Sequence, residues 1–505
     1  HRFDHWNTQA DGLGIRYPIN SPLKLDTDIT LYAQWVSQFF LSYNGNGNTA
    51  GSVAPDTIKY DTSITIPVAA QNGLYRVGYR FEGWNTRPDG SGKNWTTNFT
   101  PDQSVLGGIT LYANWIEVFP KISVGREFSV ILTAQGNIFA AGEGEYGRLG
   151  QGNLNRTDYN SWQQVALPPG AAPKAIVSGL FHTFILREDG TSVSWGRNYW
   201  NAQGGTSSVS NNDFNVYSPT NLLGDFGTNG IIAKLSTLSA NSAFLSTNGE
   251  YWGLGSNYHG NLGNGRNTGQ NSWQPERITK GFGEARIKDV CAGFESTFVI
   301  TADGELWAAG RGNGGRLGTG NTSLQGSFVK ISGMGADNAK VFVDAAEFDW
   351  NVSGNTYLLN TDGSLYGSGF NERGELGRGS TGAKTTFAPV QQTDKNGSTN
   401  MGNVNTVSAG LYFALILKND GTLWAVGEGD DFRLGLNSTL DQTRAVKILD
   451  NVARIAAAHR HSLIVLTDGT VYGVGLNNMG QFGNGNTVSS TSSAPMVQIT
   501  LPVEP

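Results

Sequence analysis

A single cysteine, Cys291, stands among 505 residues. That excludes an intrachain disulfide framework and any metal cluster built from thiolates. Charge is scarce as well: Asp, Glu, Lys and Arg make up 15% of the chain, the net charge is −6, and no run of Lys or Arg occurs. Nucleic-acid binding needs clustered positive charge, so no nucleic-acid partner is expected. No apolar run approaches the length of a membrane span, and no membrane insertion of this segment is expected. Only six histidines are present, which narrows any catalytic or metal-binding reading. Glycine is the residue in excess, with 69 copies. High glycine with low charge suits a turn-dense β protein, and 13 Trp, 17 Tyr and 24 Phe supply apolar area for real cores. The length calls for more than one domain.

Internal repetition organises the chain from about Lys121 onward. A two-residue turn recurs at Gln135-Gly136, Asp189-Gly190, Asn248-Gly249, Asp303-Gly304, Asp362-Gly363, Asp420-Gly421 and Asp468-Gly469. Apolar and β-branched runs flank each turn, as in TFILREDGTSVSWG, so each unit carries a hairpin. Such Asn-Gly and Asp-Gly pairs predict a tight turn with positive φ at both central residues. A glycine-rich segment follows about ten residues later (GSNYHGNLG, GFNERGELG, GLNNMGQFG), and then a connector ending near Pro219, Pro275, Pro389 or Pro495. Seven small sheets of this kind bury both faces only by stacking radially, which predicts a seven-bladed β-propeller over 119–505. The final APMVQIT is expected to complete the first blade and so remove an open sheet edge.

These units resemble the repeats of the regulator of chromosome condensation family, whose pattern runs G-x-x-H-[ST], then DG, then WG-x-N-x-x-G-Q-LG. SGLFHTFILREDGTSVSWGRN (178–198) and HRHSLIVLTDGTVYGVGLNNMGQFG (459–483) are the fullest copies. The second unit departs with NAQGG where Leu-Gly belongs, and the third has Leu238 in place of the first glycine. The first 120 residues form a second system. YRFEGWNTRPDGSGKNWTTNFTPDQSVLGGITLYANW (79–115) is echoed by HRFDHWNTQADGLGIRYPINSPLKLDTDITLYAQW (1–35), and only the later copy is preceded by FFLSYNGNGNTAGSVAPDTIKY. This resembles the Listeria–Bacteroides repeat, a small β-grasp-like module found in tandem on bacterial surface proteins. The expected division is therefore the C-terminal part of a truncated module at 1–36, a complete module at 37–118 and the propeller at 119–505. Phe81, Trp84, Leu111 and Trp115 read as core anchors.

Candidate chemistry is thin. GEGEYG (142–147) and GRGNGG (310–315) spell the dinucleotide fingerprint G-x-G-x-x-G, but RLGQGN and RLGTGN follow where a helix N-terminus would have to face the pyrophosphate. These glycines belong to repeat turns. His182 and His461 share a repeat slot with Phe128, Asn241, Ser296, Asn355 and Phe413, so they read as packing and hydrogen-bonding residues of an inner strand. His459 and His461, at i and i+2, are expected to share one face of that strand. Cys291 falls where Val177 stands and reads as a buried small hydrophobe. Glu143, Glu145, Glu428, Asp430 and Asp431 lie in the glycine-rich loops and read as solvated carboxylates of ordinary pKa. DKNGSTN (394–400) reads as a turn rather than a calcium loop. No catalytic residue, cofactor or metal is expected.

One feature varies from blade to blade. Two residues precede the loop glycine position: Glu145-Tyr146, Tyr199-Trp200, Tyr258-His259, Asn313-Gly314, Glu372-Arg373, Asp430-Asp431 and Asn478-Met479. Equivalent positions in a radial repeat share one rim, so Tyr146, Tyr199, Trp200, Tyr258, His259, Glu372, Arg373, Asp430 and Asp431 are candidate binding residues. Together with the resemblances, this implies a bacterial extracellular, cell-surface protein that binds a protein or glycan without catalysis. Competing readings are a structural subunit that self-associates through its β-grasp modules, and an exchange-factor-like or enzyme-inhibitory propeller.

Overall fold

A computed structural model describes residues 2–502 except 21, 23–26, 37, 49–50, 60–63, 68–72, 77–78, 97, 100–107, 153–156, 199–200, 205–213, 223–230, 267–268, 335–337, 344–353 and 395–396. The chain divides into two compact units, His1–Val118 and Phe119–Pro505. The first unit contains both short repeats. In the later one, Gly108–Glu117 pairs in parallel with Gln38–Asn44 and antiparallel with Tyr79–Asn85. Trp84, Leu111, Leu41 and Ala113 are buried between these strands and the loops that cover them, and Phe81 and Trp115 pack against this core half-buried. The earlier repeat forms a three-stranded sheet from Arg2–Asn7, Arg16–Tyr17 and Tyr32–Val36.

Both repeats use one device that the sequence reading passed over. The asparagine after the tryptophan ties up its own loop: Asn85 donates to the carbonyls of Gly90 and Gly92 and accepts from the amides of Arg87 and Gly92. Asn7 does the same with Gly12, Gly14 and Gln9. A side-chain amide offers both donors and an acceptor, so one residue satisfies several loop backbone groups.

The second unit is the propeller. Seven sheets, each holding four strands consecutive in the chain, span 121–164, 173–221, 232–277, 287–330, 338–389, 404–449 and 452–499. The sixth is widened by the hairpin Gln391–Asp394 and Gly397–Asn400. Of DKNGSTN, Asp394 ends the first strand of that hairpin and Gly397–Asn400 forms its second, while Lys395 and Asn396 lie outside the described residues. The first strand of each sheet packs against the first strand of the next, and Val452–Ala458 packs against Lys121–Val124 to close the ring.

The closure differs from the expectation. Val497–Ile499 pairs with Val471–Gly475 and completes the seventh blade, not the first. The reason lies in Lys121–Val124: this four-residue strand already pairs with Phe128–Leu132, so the first blade has its own inner strand. Among the described residues no strand is shared across the junction. It is sealed instead by bonds that recur around the ring. The glycine two residues beyond the Leu-Gly or Phe-Gly pair donates its amide to the outer strand of the following blade: Gly265 to Gly326 (2.9 Å), Gly320 to Thr385 (2.8 Å), Gly379 to Thr443 (2.7 Å) and, across the closure, Gly485 to Asn160 (2.7 Å).

A second set of stitches lies at the axis. Ser123, Ser236 and Ser408 occupy one slot, and each hydroxyl accepts the amide of the next inner strand, at Ser178 (2.8 Å), Ala292 (3.0 Å) and Ala457 (2.8 Å). Cys291 fills this slot in blade 4 and is buried there; burial pushes its thiol up to about 11.

The hairpin turns also differ from expectation. Only the glycine takes positive φ (Gly190 79°, Gly363 81°, Gly421 78°), while the preceding aspartates do not. Each is a three-residue turn in which a left-handed glycine follows a right-handed pair. The aspartate Oδ1 caps the amide two residues on, as from Asp189 to Thr191 and Asp420 to Thr422.

His182 and His461 are buried in one slot of the second strand, each opposite a glycine of the third strand (Gly196, Gly475). His182 Nε2 lies 2.6 Å from Thr237 Oγ1, and His461 Nε2 lies 3.0 Å from Ser129 Oγ. They bond blade 2 to blade 3 and blade 7 to blade 1. His459 does not share their strand; it sits in the preceding turn with φ 43°, because the inner strand ends at Ala458.

Burial lowers the pKa of both His182 and His461 from 6.5 to about 3. The folded state therefore resists protonation that the unfolded chain accepts. Stability from this source is full above pH 6.5 and falls as pH drops toward 3, by about 1.4 kcal/mol per pH unit for each histidine. Replacing both by asparagine, the residue that Asn241 and Asn355 already place in this slot, should flatten the acid limb of a plot of urea-unfolding free energy against pH. An acid limb as steep as that of the unchanged chain would refute the assignment.

Candidate functional site: the loop face of the propeller

The loops between third and fourth strands emerge on one face, and two kinds of scaffold hold them. In blades 2, 3, 5 and 7 an asparagine accepts the amide five residues on: Asn198 from Gln203 (2.9 Å), Asn257 from Leu262 (3.0 Å), Asn371 from Leu376 (2.9 Å) and Asn477 from Phe482 (2.8 Å). A second side chain then fixes the variable pair. Asn261, Glu375 and Gln481 accept the amides of His259, Arg373 and Met479, at 3.3, 2.8 and 2.9 Å. These bonds fix the backbone of the second variable residue in blades 3, 5 and 7.

Blades 1, 4 and 6 replace the asparagine scaffold with a buried arginine. Arg148, Arg316 and Arg433 each send Nε back to the carbonyl three residues earlier and Nη1 to a carbonyl of the inner turn, at Arg126, Phe294 and Leu411 respectively. In these loops the second variable residue is left-handed: Tyr146 (φ 59°), Gly314 (φ 67°) and Asp431 (φ 56°). Glycine accepts that geometry freely, whereas Tyr146 and Asp431 hold it at a cost of about 1 kcal/mol.

Two of the five loop carboxylates, Glu143 and Glu428, are not the ordinary solvated groups expected from the sequence. Glu143 is bonded to Arg148, and Glu428 to Arg433. Burial raises Glu143 to about 7 despite Arg148, helped by a hydrogen bond and repulsion from Glu127. Burial likewise raises Glu428, against the pull of Arg433 and Arg373.

The candidate rim residues divide accordingly. Tyr146 is half-buried beside two cations, with the Arg197 guanidinium 4.5 Å and that of Arg148 5.6 Å from its ring centre. His259 Nε2 lies 3.0 Å from Glu295 of the next blade, which Arg311 also contacts at 2.8 Å. Burial acts upward on Glu295, but His259 and Arg311 outweigh it and hold the carboxyl below its usual range. Arg373 bridges to Glu428 and Asp441 of blade 6, both at 3.4 Å. Asp431 pairs with Arg433 at 2.9 Å. Tyr146, His259 and Arg373 thus tie their loops to the following blade, whereas Asp431 braces its own loop. Tyr258, 49% exposed, and the exposed Glu372 and Asp430 project outward. Tyr199 and Trp200 lie outside the described residues. Among the described residues, no three His, Cys, Asp or Glu side chains gather as a metal site, and no helix is long and apolar enough to cross a membrane.

Seven wedges, each built on four consecutive strands, define a repeat propeller, and comparison with known proteins identifies the repeat. Residues 174–199, 452–481, 248–300 and 362–417 match models of the regulator of chromosome condensation (RCC1) repeat. Residues 1–34 and 39–114 match the Listeria–Bacteroides repeat domain. The chain thus joins Listeria–Bacteroides repeats to a propeller of RCC1 repeats. It is 27% identical over 329 residues to the ultraviolet-B receptor UVR8 of Arabidopsis thaliana, covering 65% of this chain and 69% of the receptor. It is 37% identical over 124 residues to a putative Gly-rich membrane protein of Evansella cellulosilytica, covering 22% of this chain and 14% of that protein. Of the human ubiquitin ligase HERC2, 26% identical over 321 residues, the chain spans 5%. Among solved structures, yeast RCC1 (Prp20) bound to Kap60 is similar with a TM-score of 0.60 at 18% identity, covering 76% of this chain and 85% of that one. Human WBSCR16 follows with a TM-score of 0.57 at 17% identity, covering 72% and 92%.

Proposed function

We propose that this chain is a bacterial surface protein whose propeller binds a protein or glycan through its loop face without catalysing a reaction. One observation carries the reading: a cross-bonded platform of loops holds Tyr258, Glu372 and Asp430 outward from blades 3, 5 and 6 of one rim. Exposed aromatics on a preorganised surface lose little conformational freedom on binding, so they make efficient anchors. The carboxylates that acid–base chemistry would require are instead engaged by Arg148 and Arg433 as loop supports. Support for the surface location comes from the Listeria–Bacteroides repeats and from the membrane-protein relative of Evansella. Yeast RCC1 (Prp20), whose structure this propeller resembles, is itself seen bound to a protein, Kap60.

The test uses the labelled full chain against arrays of extracellular proteins and glycans, with Tyr258→Ala/Glu372→Ala as the control. A saturable ligand whose Kd rises at least about tenfold in the double variant, roughly 1.4 kcal/mol, supports the reading. Binding that ignores both changes, or no binding at all, sinks it. Sedimentation of the same sample separates the rival: mass growing with concentration would favour self-association through the N-terminal modules, where Trp35 is 61% exposed.

A further inference from the structure

The axial channel opposite the loop face carries a charge pattern at odds with the whole molecule. A cavity of about 310 Å³ runs between the inner strands, and Lys234 and Lys340 line it. These two belong to one repeat slot, two residues before the stitching serines, defined by its pairing to the second strand: Lys121, Ala175, Lys234, Asp289, Lys340, Thr406 and Arg454. Four of the seven positions are cationic and one is acidic, in a chain whose net charge is −6. Lys174 and Lys288, both exposed, stand one residue from the slot in blades 2 and 4. All inner strands run in the same direction around the ring, so these positions fall at one end of it, where Lys234 and Lys340 line the cavity. The acids of the hairpin turns on this side, such as Asp189 and Asp420, lie between second and third strands, outside the inner ring.

The cations are positioned rather than scattered. Lys234 reaches across the blade junction to Asp289, and Lys121 Nζ donates to the Lys174 carbonyl at 2.5 Å. Lys340 is exposed at the mouth, and no ion-pair partner for it occurs among the described residues. Like charges brought together around a low-dielectric opening raise the local concentration of anions. Just inside, the wall turns to serine hydroxyls and to Val124, Ala409 and Ala457. We propose that this mouth is a binding site for a small multivalent oxyanion, either a free polycarboxylate or polyphosphate or the acidic end of a peptide. At roughly 30 Å³ per water-sized group, the cavity admits a ligand of about ten non-hydrogen atoms. The site is separate from the loop face and stands whether or not that face binds anything.

Titration calorimetry of the full chain at low ionic strength tests this with citrate, pyrophosphate and a tri-glutamate peptide as probes. Saturable binding that weakens with added salt is expected for at least one. Lys234→Gln/Lys340→Gln should weaken it by about tenfold or more, and so should Lys340→Gln alone to a smaller extent, a change at an exposed position that leaves the core untouched. Asp289→Asn should tighten it several-fold, because it removes the one acid of the ring and releases Lys234. Damage to the fold would weaken binding, not tighten it. Preference for the peptide assigns the ligand to a protein segment, and preference for citrate or pyrophosphate to a free polyanion. No saturable heat up to about 10 mM, equal affinity in the double variant, or weaker binding by Asp289→Asn overturns the proposal.

Discussion

Arg433→Ala is expected to cost about 3–5 kcal/mol of unfolding free energy, because it strips one partner from a buried ion pair. The Arg433 side chain is only 2% exposed. It makes four bonds at once: Nε to the Asp430 carbonyl, Nη1 to the Leu411 carbonyl and to Glu428, and Nη2 to Asp431. Without it, Glu428 remains buried, with only the exposed Arg373 at 3.4 Å to compensate. Its pKa, already raised by burial, should climb further, so the variant should regain stability as pH falls through the new value. A second substitution, Glu428→Gln, should restore part of the loss by removing the stranded charge. Urea unfolding of the single and double variants measures the coupling. Equal losses in both would show that the arginine acts through packing alone.

The second large effect is expected at Trp195, which is fully buried between blades 1 and 2 in a cluster with Phe128, Leu149 and Val165. Its indole Nε1 donates to the Arg148 carbonyl at 2.9 Å. Trp195→Ala should lose about 3–5 kcal/mol through the cavity it leaves. Trp195→Phe keeps most of the ring but orphans that carbonyl, so a loss of about 1–3 kcal/mol is expected. Because Arg148 anchors the loop that presents Tyr146, both variants should also loosen this loop, read as faster amide exchange at 143–148. Protection unchanged in Trp195→Ala would separate the core from the loop and refute the link.

What the sequence displayed and what it concealed follow from range. The Asp-Gly turns, the apolar runs beside them and the leucine-glycine pairs are local signals, and they identified seven hairpins and the repeat. The slot shared by His182 and His461 was legible for the same reason, since repeat alignment substitutes for structure. The closure was misread because Lys121–Val124 is short and follows Pro120, so the first blade seemed to lack its inner strand. The carboxylates were misread because burial is not local: Glu143 and Glu428 look exposed in a glycine-rich loop until Arg148 and Arg433 fold over them. The asparagines that cap residues five positions on were visible as a recurring G-x-N, but a capping role needs the loop to double back. At the rim, alignment found the variable pairs, yet only coordinates distinguish Tyr258, which projects, from His259 and Arg373, which clasp a neighbour.

Because every wedge is finished by its own contiguous stretch of chain, including the seventh with Val497–Ile499, a whole wedge can be copied, lost or exchanged by recombination in the connectors without leaving a torn sheet on either side. A ring fastened by a strand borrowed from the far end of the chain would tie its first and last members into one heritable pair. Here the seam at Asn160 and Gly485 uses the same glycine amide as three of the other joints, so a wedge able to offer that amide can occupy the last place. Diversification of such a molecule can then proceed wedge by wedge, with exposed rim residues such as Tyr258, Glu372 and Asp430 varying independently of how the circle is shut.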